Sequence, residues 1–428
     1  MLMLFRPLNK LLARYFIART YSDSGVRLRI LPTSCFFDES VQIKMVGLAP
    51  QQRVELQSKH RDAKDVVFRA SATYQADGNG EIDVVRHSSI GGTYTGVEPM
   101  GLFWSMQPEV PHKNLTIIDA SKPISVEIQA SSGGEILAKE TNERVLLAEG
   151  VRRVPIRGGR LKGTLFVPPG DGPFPGIIIL ITLGGIASEP QAALLANRGF
   201  VVLALAIFGY QDARKKVDEV HLEYFEEAIA FLQTQPKVQQ TGVGILSFSK
   251  SGDLALSMAS FLTNVKATVC INGCNANVLF PLHYKDMVIP PLLANTAKIT
   301  IMKSGILDIR DAVKDPMEKE NLATVIPIER ASSKFLFIVS EDDRNWNSVY
   351  FAEMACSRLR AHGKTDYEMV SYPKAGHYVQ VPYMPHYPSG IHAAVGQVVA
   401  FGGEPKVHAH AEVDAWGRIL EFFKKSLK

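Results

Sequence analysis

The chain has 428 residues, 46% of them hydrophobic and 21% charged, with 33 glycines and 24 prolines. That composition excludes disordered, collagen-like and fibrous classes and, at about 100–200 residues per domain, suggests two or three domains. The formal net charge is +4, but Arg6, Lys10, Arg14 and Arg19 all precede the first acid, Asp23, so the remainder is neutral and offers no basic stripe for nucleic acid.

The longest apolar run, Phe200 to Phe208, falls far short of the roughly 18–20 residues of a membrane-spanning helix, so no stable membrane insertion is expected. Cys35, Cys270, Cys274 and Cys356 form no CxxC pair and belong to no His/Cys cluster at metal spacing. Unpaired thiols in a reducing compartment are expected, with neither a metal nor an organic cofactor. No pattern in the chain specifies an oligomeric state.

Residues 1–22 place Arg6, Lys10 and Arg14 four apart, on one face of a helix whose remainder carries Leu4, Leu8, Leu11, Leu12, Tyr15 and Phe16. An amphipathic, acid-free, Arg-bearing segment has the physics of a mitochondrial targeting leader, whereas a secretory signal needs an uninterrupted apolar core of about 7–15 residues. The mitochondrial matrix is the expected compartment, with cytosol and peroxisome as alternatives. Ser426-Leu427-Lys428 permutes the Ser-Lys-Leu peroxisomal address, which a receptor reads in order.

Residues 23–150 form the first expected domain. Its short, often alternating segments are Val26–Leu31, Val41–Val46, Arg53–Gln57, Val66–Tyr74, Ile82–Arg86, Leu115–Ile118, Ile124–Gln129 and Glu135–Ala138. With Asp77-Gly78-Asn79-Gly80 and Ser131-Ser132-Gly133-Gly134 as turns, the pattern predicts an antiparallel β-sandwich with a structural role.

Residues 151–428 change rhythm. Strands Leu161–Val167, Gly176–Leu183, Phe200–Leu205, Gly242–Leu246, Ala267–Ile271, Phe335–Val339 and Tyr367–Tyr372 alternate with helices Glu189–Asn197, Leu222–Leu232, Gly252–Leu262, Ser348–Ala361 and Val413–Lys425. Such alternation means right-handed crossovers and a mostly parallel sheet, whose functional residues lie beyond the carboxyl ends of the strands. The proline-bearing stretch Gly273–Pro327 breaks the rhythm and reads as a lid or pocket wall.

Three such ends carry chemistry. Strand Gly242–Leu246 runs through Ser247-Phe248-Ser249-Lys250-Ser251-Gly252 directly into an apolar helix, the layout of a nucleophile elbow with Ser249 at its apex. The competing reading is a serine N-cap. Ser247 and Ser251 stand where the G-x-S-x-G form of the elbow has glycine. His377 follows the last strand, in a loop where an imidazole can reach the elbow, while His386, His392, His408 and His410 lie in less regular stretches and read as solvated or locally satisfied. Strand Phe335–Val339 leads into Glu341, Asp342 and Asp343, any of which can orient the imidazole. The order serine, acid, histidine is that of α/β-hydrolases.

Taken together, Gly96-Val97-Glu98-Pro99-Met100-Gly101-Leu102-Phe103-Trp104, Gly163–Gly170, Ser249-Lys250 with Leu256–Leu262, and Tyr372-Pro373 with Gly376-His377-Tyr378 resemble the type I acyl-CoA thioesterase and bile acid-CoA:amino acid N-acyltransferase family. The resemblance implies an α/β hydrolase fold, mostly parallel sheet with flanking helices, preceded by an N-terminal antiparallel β-sandwich domain. It implies an acyl-CoA substrate, Ser249 as nucleophile, His377 as base and Asp343 as the orienting acid. The oxyanion would be held by the Lys250 N–H and an N–H near Leu183 or Gly184. Thioesterase members of the family carry serine at the elbow and the conjugating member cysteine, so Ser249 implies water as the acyl acceptor. Transfer to an amino acid and a silent lipid-binding role are the alternatives. Val278, Leu279, Phe280 and Leu282 are expected to form an acyl-chain surface or ordinary core, Met287, Met302 and Met317 to fill pocket or core, and the Lys250 side chain to be solvated. Coenzyme A phosphate contacts from Lys250, Lys285 or Lys303 are secondary expectations.

Overall fold

The computed structural model describes residues 25–156, 158–181, 189–207 and 218–428; the expected leader, Leu183 and Gly184 lie outside them. The N-terminal part is two facing sheets. A three-stranded antiparallel sheet joins Arg27–Leu31, Gln42–Val46 and Ile82–Asp83. The larger sheet runs in the order Ser34–Phe36, Glu135–Val145, Ile124–Ser132, Arg53–Arg61, Val67–Gln75 and Gly91–Gly92, antiparallel apart from the first pair. Alternation explains it: in Arg53–Arg61, Val54 and Leu56 are buried while their neighbours face outward. The strand expected at Leu115–Ile118 does not form; Asp62 caps the backbone there instead, accepting the Thr116 N–H at 3.0 Å.

Downstream, an eight-stranded sheet has the order Arg152–Ile156, Gly163–Val167, Val201–Ala206, Phe174–Ile181, Val238–Phe248, Val265–Ile271, Lys334–Ser340 and Tyr367–Tyr372. Its first two pairings are antiparallel and the other five parallel. This is an α/β hydrolase preceded by the N-terminal sheets. The first strand, Arg152–Ile156, escapes sequence reading because its pattern of half-exposed residues is that of an edge. Central strands are apolar throughout because both faces are covered. Ile177 and Ile179 join the core shared with the N-terminal sheets, whereas Ile178 and Leu180 point to the opposite helix layer.

The C-terminal helix spans Pro405–Ser426, beginning eight residues before the expected Val413. Pro405 at its first turn is compatible with the fixed φ and missing N–H of proline there. This helix joins the two parts: Trp416 Nε1 donates to Asp38 Oδ2 at 2.9 Å, and Glu98 accepts from Lys406 at 2.7 Å and His410 at 2.9 Å. Phe423, fully buried, meets Phe200 with ring centroids 6.3 Å apart, and Gly244 leaves the room, since a Cβ there would lie 2.8 Å from the Phe423 ring. Phe423→Ala is expected to lower unfolding free energy by about 3–5 kcal/mol, read as a shift of the urea midpoint at unchanged slope.

Candidate active site

The elbow forms where strand Val238–Phe248 gives way to helix Ser251–Phe261. Ser249 sits between them at φ 56°, a left-handed conformation that a non-glycine residue holds only where its surroundings over-determine it. Its N–H donates to the Ile271 carbonyl at 2.9 Å, and its own carbonyl accepts from Gly252 at 2.8 Å. The helix N-cap is Lys250, without a side-chain cap bond, so Ser249 is not spent on capping.

Serine fits both positions where glycine is usual. Ser247 Oγ donates to Val269 O at 2.7 Å, and Ser251 Oγ lies 2.5 Å from Leu180 O while accepting the Phe248 N–H at 2.8 Å. The backbone approach needing glycine falls one residue later: a Cβ on Gly252 would lie 2.7 Å from Gly273 Cα.

His377 is about 1% exposed, with Nε2 2.8 Å from Ser249 Oγ and Nδ1 2.7 Å from Asp343 Oδ2. An ionised carboxylate only accepts, so Nδ1 carries the proton and Nε2 is free to accept the serine hydroxyl. The Asp343 carboxylate also accepts from the Asn345 N–H at 2.8 Å, the Trp346 N–H at 3.3 Å and the Ser348 hydroxyl. The other acids in the turn point elsewhere: Asp342 pairs with Arg344 at 2.6 Å and accepts the Gly403 N–H at 2.9 Å, while Glu341 accepts from Ser371 at 2.9 Å. Phe248 and Trp346 flank the imidazole, their ring centroids 5.1 and 6.0 Å away.

Asn272 was not singled out from sequence. It follows strand Val265–Ile271 at φ 45°, a conformation asparagine tolerates. Its side chain accepts the Ser340 N–H at 2.8 Å and donates to the His377 carbonyl at 2.7 Å, tying the acid-bearing strand to the histidine loop. An asparagine just before Gly273 at a strand's carboxyl end was the available signal.

The Lys250 side chain is not solvated. It is 1% exposed and holds Asp253, fully buried, at 2.6 and 2.9 Å. Burial pushes the Asp253 carboxyl up to about 6 against the pull of Lys250. Asp253 also accepts the Val278 N–H at 2.8 Å, so this buried pair joins the elbow helix to the stretch Gly273–Pro327. The Lys250 N–H itself donates to no group among the described residues.

Within that stretch Val278 and Leu282 are buried, but Leu279, Met302 and Met317 are each at least 40% exposed, which removes them as core fillers. Lys285 lies over its neighbour Tyr284, 4.8 Å from the ring centroid. A cavity of about 450 Å³ is lined by Lys298, Arg310, Lys314, Tyr350 and Phe351 among others, with none of Ser249, Asp343 and His377 in its lining. No metal-holding group of His, Cys, Asp or Glu occurs among the described residues.

Removing one partner from a buried ion pair strands the other charge. Lys250→Met should therefore destabilise by about 3–5 kcal/mol, and Lys250→Met with Asp253→Leu should recover part of the loss, as measured by urea unfolding.

Two family models match: "Acyl-CoA thioester hydrolase/BAAT N-terminal region" over residues 38–158 and "BAAT / Acyl-CoA thioester hydrolase C terminal" over residues 220–428. The chain is 46% identical to Homo sapiens acyl-coenzyme A thioesterase 2, mitochondrial, over 92% of its own length and 82% of that protein. It is 46% identical to Homo sapiens acyl-coenzyme A thioesterase 1 over 92% and 94%. The Mus musculus acyl-coenzyme A thioesterase 3 is 45% identical over 92% of each chain. Among solved structures, a Pyrococcus horikoshii acylaminoacyl peptidase is similar at TM-score 0.44 and 15% identity, over 91% of this chain and 60% of that one. On this family-wide similarity, the chain belongs to the acyl-CoA thioester hydrolase/BAAT family of hydrolases.

Proposed function

We propose that this chain hydrolyses fatty acyl-CoA thioesters to free fatty acid and coenzyme A through an acyl-serine intermediate. The observation that carries the reading is the unbroken relay from Asp343 through His377 to Ser249, at 2.7 and 2.8 Å, with the serine raised on a left-handed turn. His377 Nε2 takes the Ser249 proton as Oγ bonds to the thioester carbonyl. The tetrahedral intermediate collapses, the C–S bond breaks, and the imidazolium returns its proton to the departing thiolate. Water then gives a proton to the same nitrogen and attacks the acyl-serine; the C–Oγ bond breaks, and Ser249 recovers its proton. Asp343 holds the Nδ1 proton and stabilises the imidazolium throughout.

The Lys250 N–H, at the start of helix Ser251–Phe261 and donating to no group among the described residues, supports its role as one oxyanion donor. The second donor is assigned to Leu183 or Gly184. Serine at 249, with none of the four cysteines at the elbow apex, favours water over an amino acid as acceptor. Division at residues 150 and 151 is supported by strand Arg152–Ile156 opening the eight-stranded sheet.

Ser249→Ala should abolish both palmitoyl-CoA hydrolysis and labelling by a fluorophosphonate probe. Asp343→Asn should lower kcat by about 10³–10⁴-fold, whereas Asp342→Asn should cost less than about tenfold. A folded wild-type protein that neither labels nor hydrolyses would sink the reading, and conjugate formation on adding glycine or taurine would redirect it to acyl transfer.

Mitochondrial residence is supported by the cation spacing in residues 1–22 and by a relative named as mitochondrial, although other relatives carry no such name. Fusing residues 1–22 to a fluorescent reporter should direct it to mitochondria, and Arg6, Lys10 and Arg14 changed together to Glu should leave it in the cytosol.

A further inference from the structure

The motif Gly96–Trp104 and the C-terminal helix have as yet no part in the chemistry. His408 and Glu412, four apart on that helix and each about 2% exposed, face the segment that carries His377. The Gly376 N–H donates to His408 Nδ1 at 3.0 Å, His408 Nε2 donates to the Tyr378 carbonyl at 3.0 Å, and the Gln380 N–H donates to Glu412 Oε1 at 2.9 Å. Alternate residues of the catalytic loop, on both sides of His377, are thus held by two side chains of one helix face. Accepting at Nδ1 and donating at Nε2 fixes His408 as one neutral tautomer. From the sequence His408 read as solvated or locally satisfied; it is buried, it does have a local partner in Glu412 with Nε2 3.4 Å from Oε1, and its two other partners lie 32 and 30 residues away.

The same helix is gripped from the N-terminal sheets. Glu98, 5% exposed and inside the motif, takes Lys406 at 2.7 Å and His410 at 2.9 Å, which lie two residues before and two residues after His408. A second strand of the grip runs through His386, whose N–H donates to the Trp104 carbonyl at 3.2 Å and whose ring centroid lies 4.6 Å from that of His408.

We propose that His408 and Glu412 are positioning residues for His377, and that Glu98 of the N-terminal sheets holds their helix in register, which gives the motif Gly96–Trp104 a role in turnover. The inference rests on the catalytic reading above. A displacement of the imidazole by about 1 Å costs on the order of a hundredfold in rate, so the hydrogen bonds matter through geometry.

The test uses the full chain, with the second-order rate of fluorophosphonate labelling and kcat and KM for palmitoyl-CoA. His408→Leu should lower the labelling rate and kcat together by about tenfold to a hundredfold while KM stays within about twofold. His408→Asn, which restores an acceptor where Nδ1 stood, should return the labelling rate to within several-fold of wild type. Glu412→Gln should stay close to wild type and Glu412→Leu should not. Glu98→Ala, whose partners are largely at the surface, should lower the labelling rate several-fold. Wild-type labelling in folded His408→Leu, or equal losses in His408→Leu and His408→Asn, overturns the proposal. Should His408→Leu fail to fold, Glu98→Ala decides, and an unchanged labelling rate there overturns it. An unlabelled wild-type protein overturns the catalytic reading itself and this inference with it.

Discussion

The hydrogen bond between Asp343 and His377 sets the terms for the rest of the site. A carboxylate that is about 1% exposed is stable only if its lone pairs are occupied, and here the Asn345 and Trp346 N–H groups, the Ser348 hydroxyl and the His377 Nδ1–H occupy them. Because the carboxylate only accepts, it dictates which imidazole nitrogen carries the proton and leaves the other to face Ser249. Everything that locates the histidine loop, from Asn272 to the Phe401 carbonyl that accepts the His377 N–H at 2.7 Å, serves that one orientation.

The parallel sheet makes the convergence achievable. Parallel neighbours bring their carboxyl ends to one edge, so Ser249, Asp343 and His377 meet although 128 residues separate the first from the last. The intervening strand Val265–Ile271 contributes no reacting group, but Asn272 at its end bridges the acid-bearing strand and the histidine loop. The buried side chains of Asp343, His377 and Asn272 each meet specific partners, and that is how a site on four loops attains the stiffness of the sheet beneath it.

Departures from the usual elbow pattern illustrate how local rules bend. Glycine beside the nucleophile is one way of letting backbones approach; a compact hydroxyl with a carbonyl to donate to is another, as Ser247 and Ser251 show. Lys250 illustrates the converse. A lysine beside a nucleophile reads as solvated, yet its ammonium is neutralised by an aspartate one helical turn on, and the pair anchors Val278.

Much of the fold was legible because it obeys local periodicity. Helix Ser348–Ala361 and strand Tyr367–Tyr372 have the bounds their patterns predict, and Ser249 and His377 announce themselves by following strands at a sheet's carboxyl end. Edge and marginal elements were less legible: Arg152–Ile156 is half exposed, and Leu115–Ile118 lacks a strand to pair with. The sequence by itself determined the chemical types and their order along the chain, since side-chain identity and strand–helix rhythm are local properties. Residue pattern left Glu341, Asp342 and Asp343 open and the family resemblance pointed to Asp343, which the tertiary structure places against the imidazole; only that structure decided that Lys250 is buried and that His408 and Glu98 lie along one path to the site. Those facts depend on distances between segments far apart in the chain, and such distances are set by packing and hydrogen-bond satisfaction across the whole core.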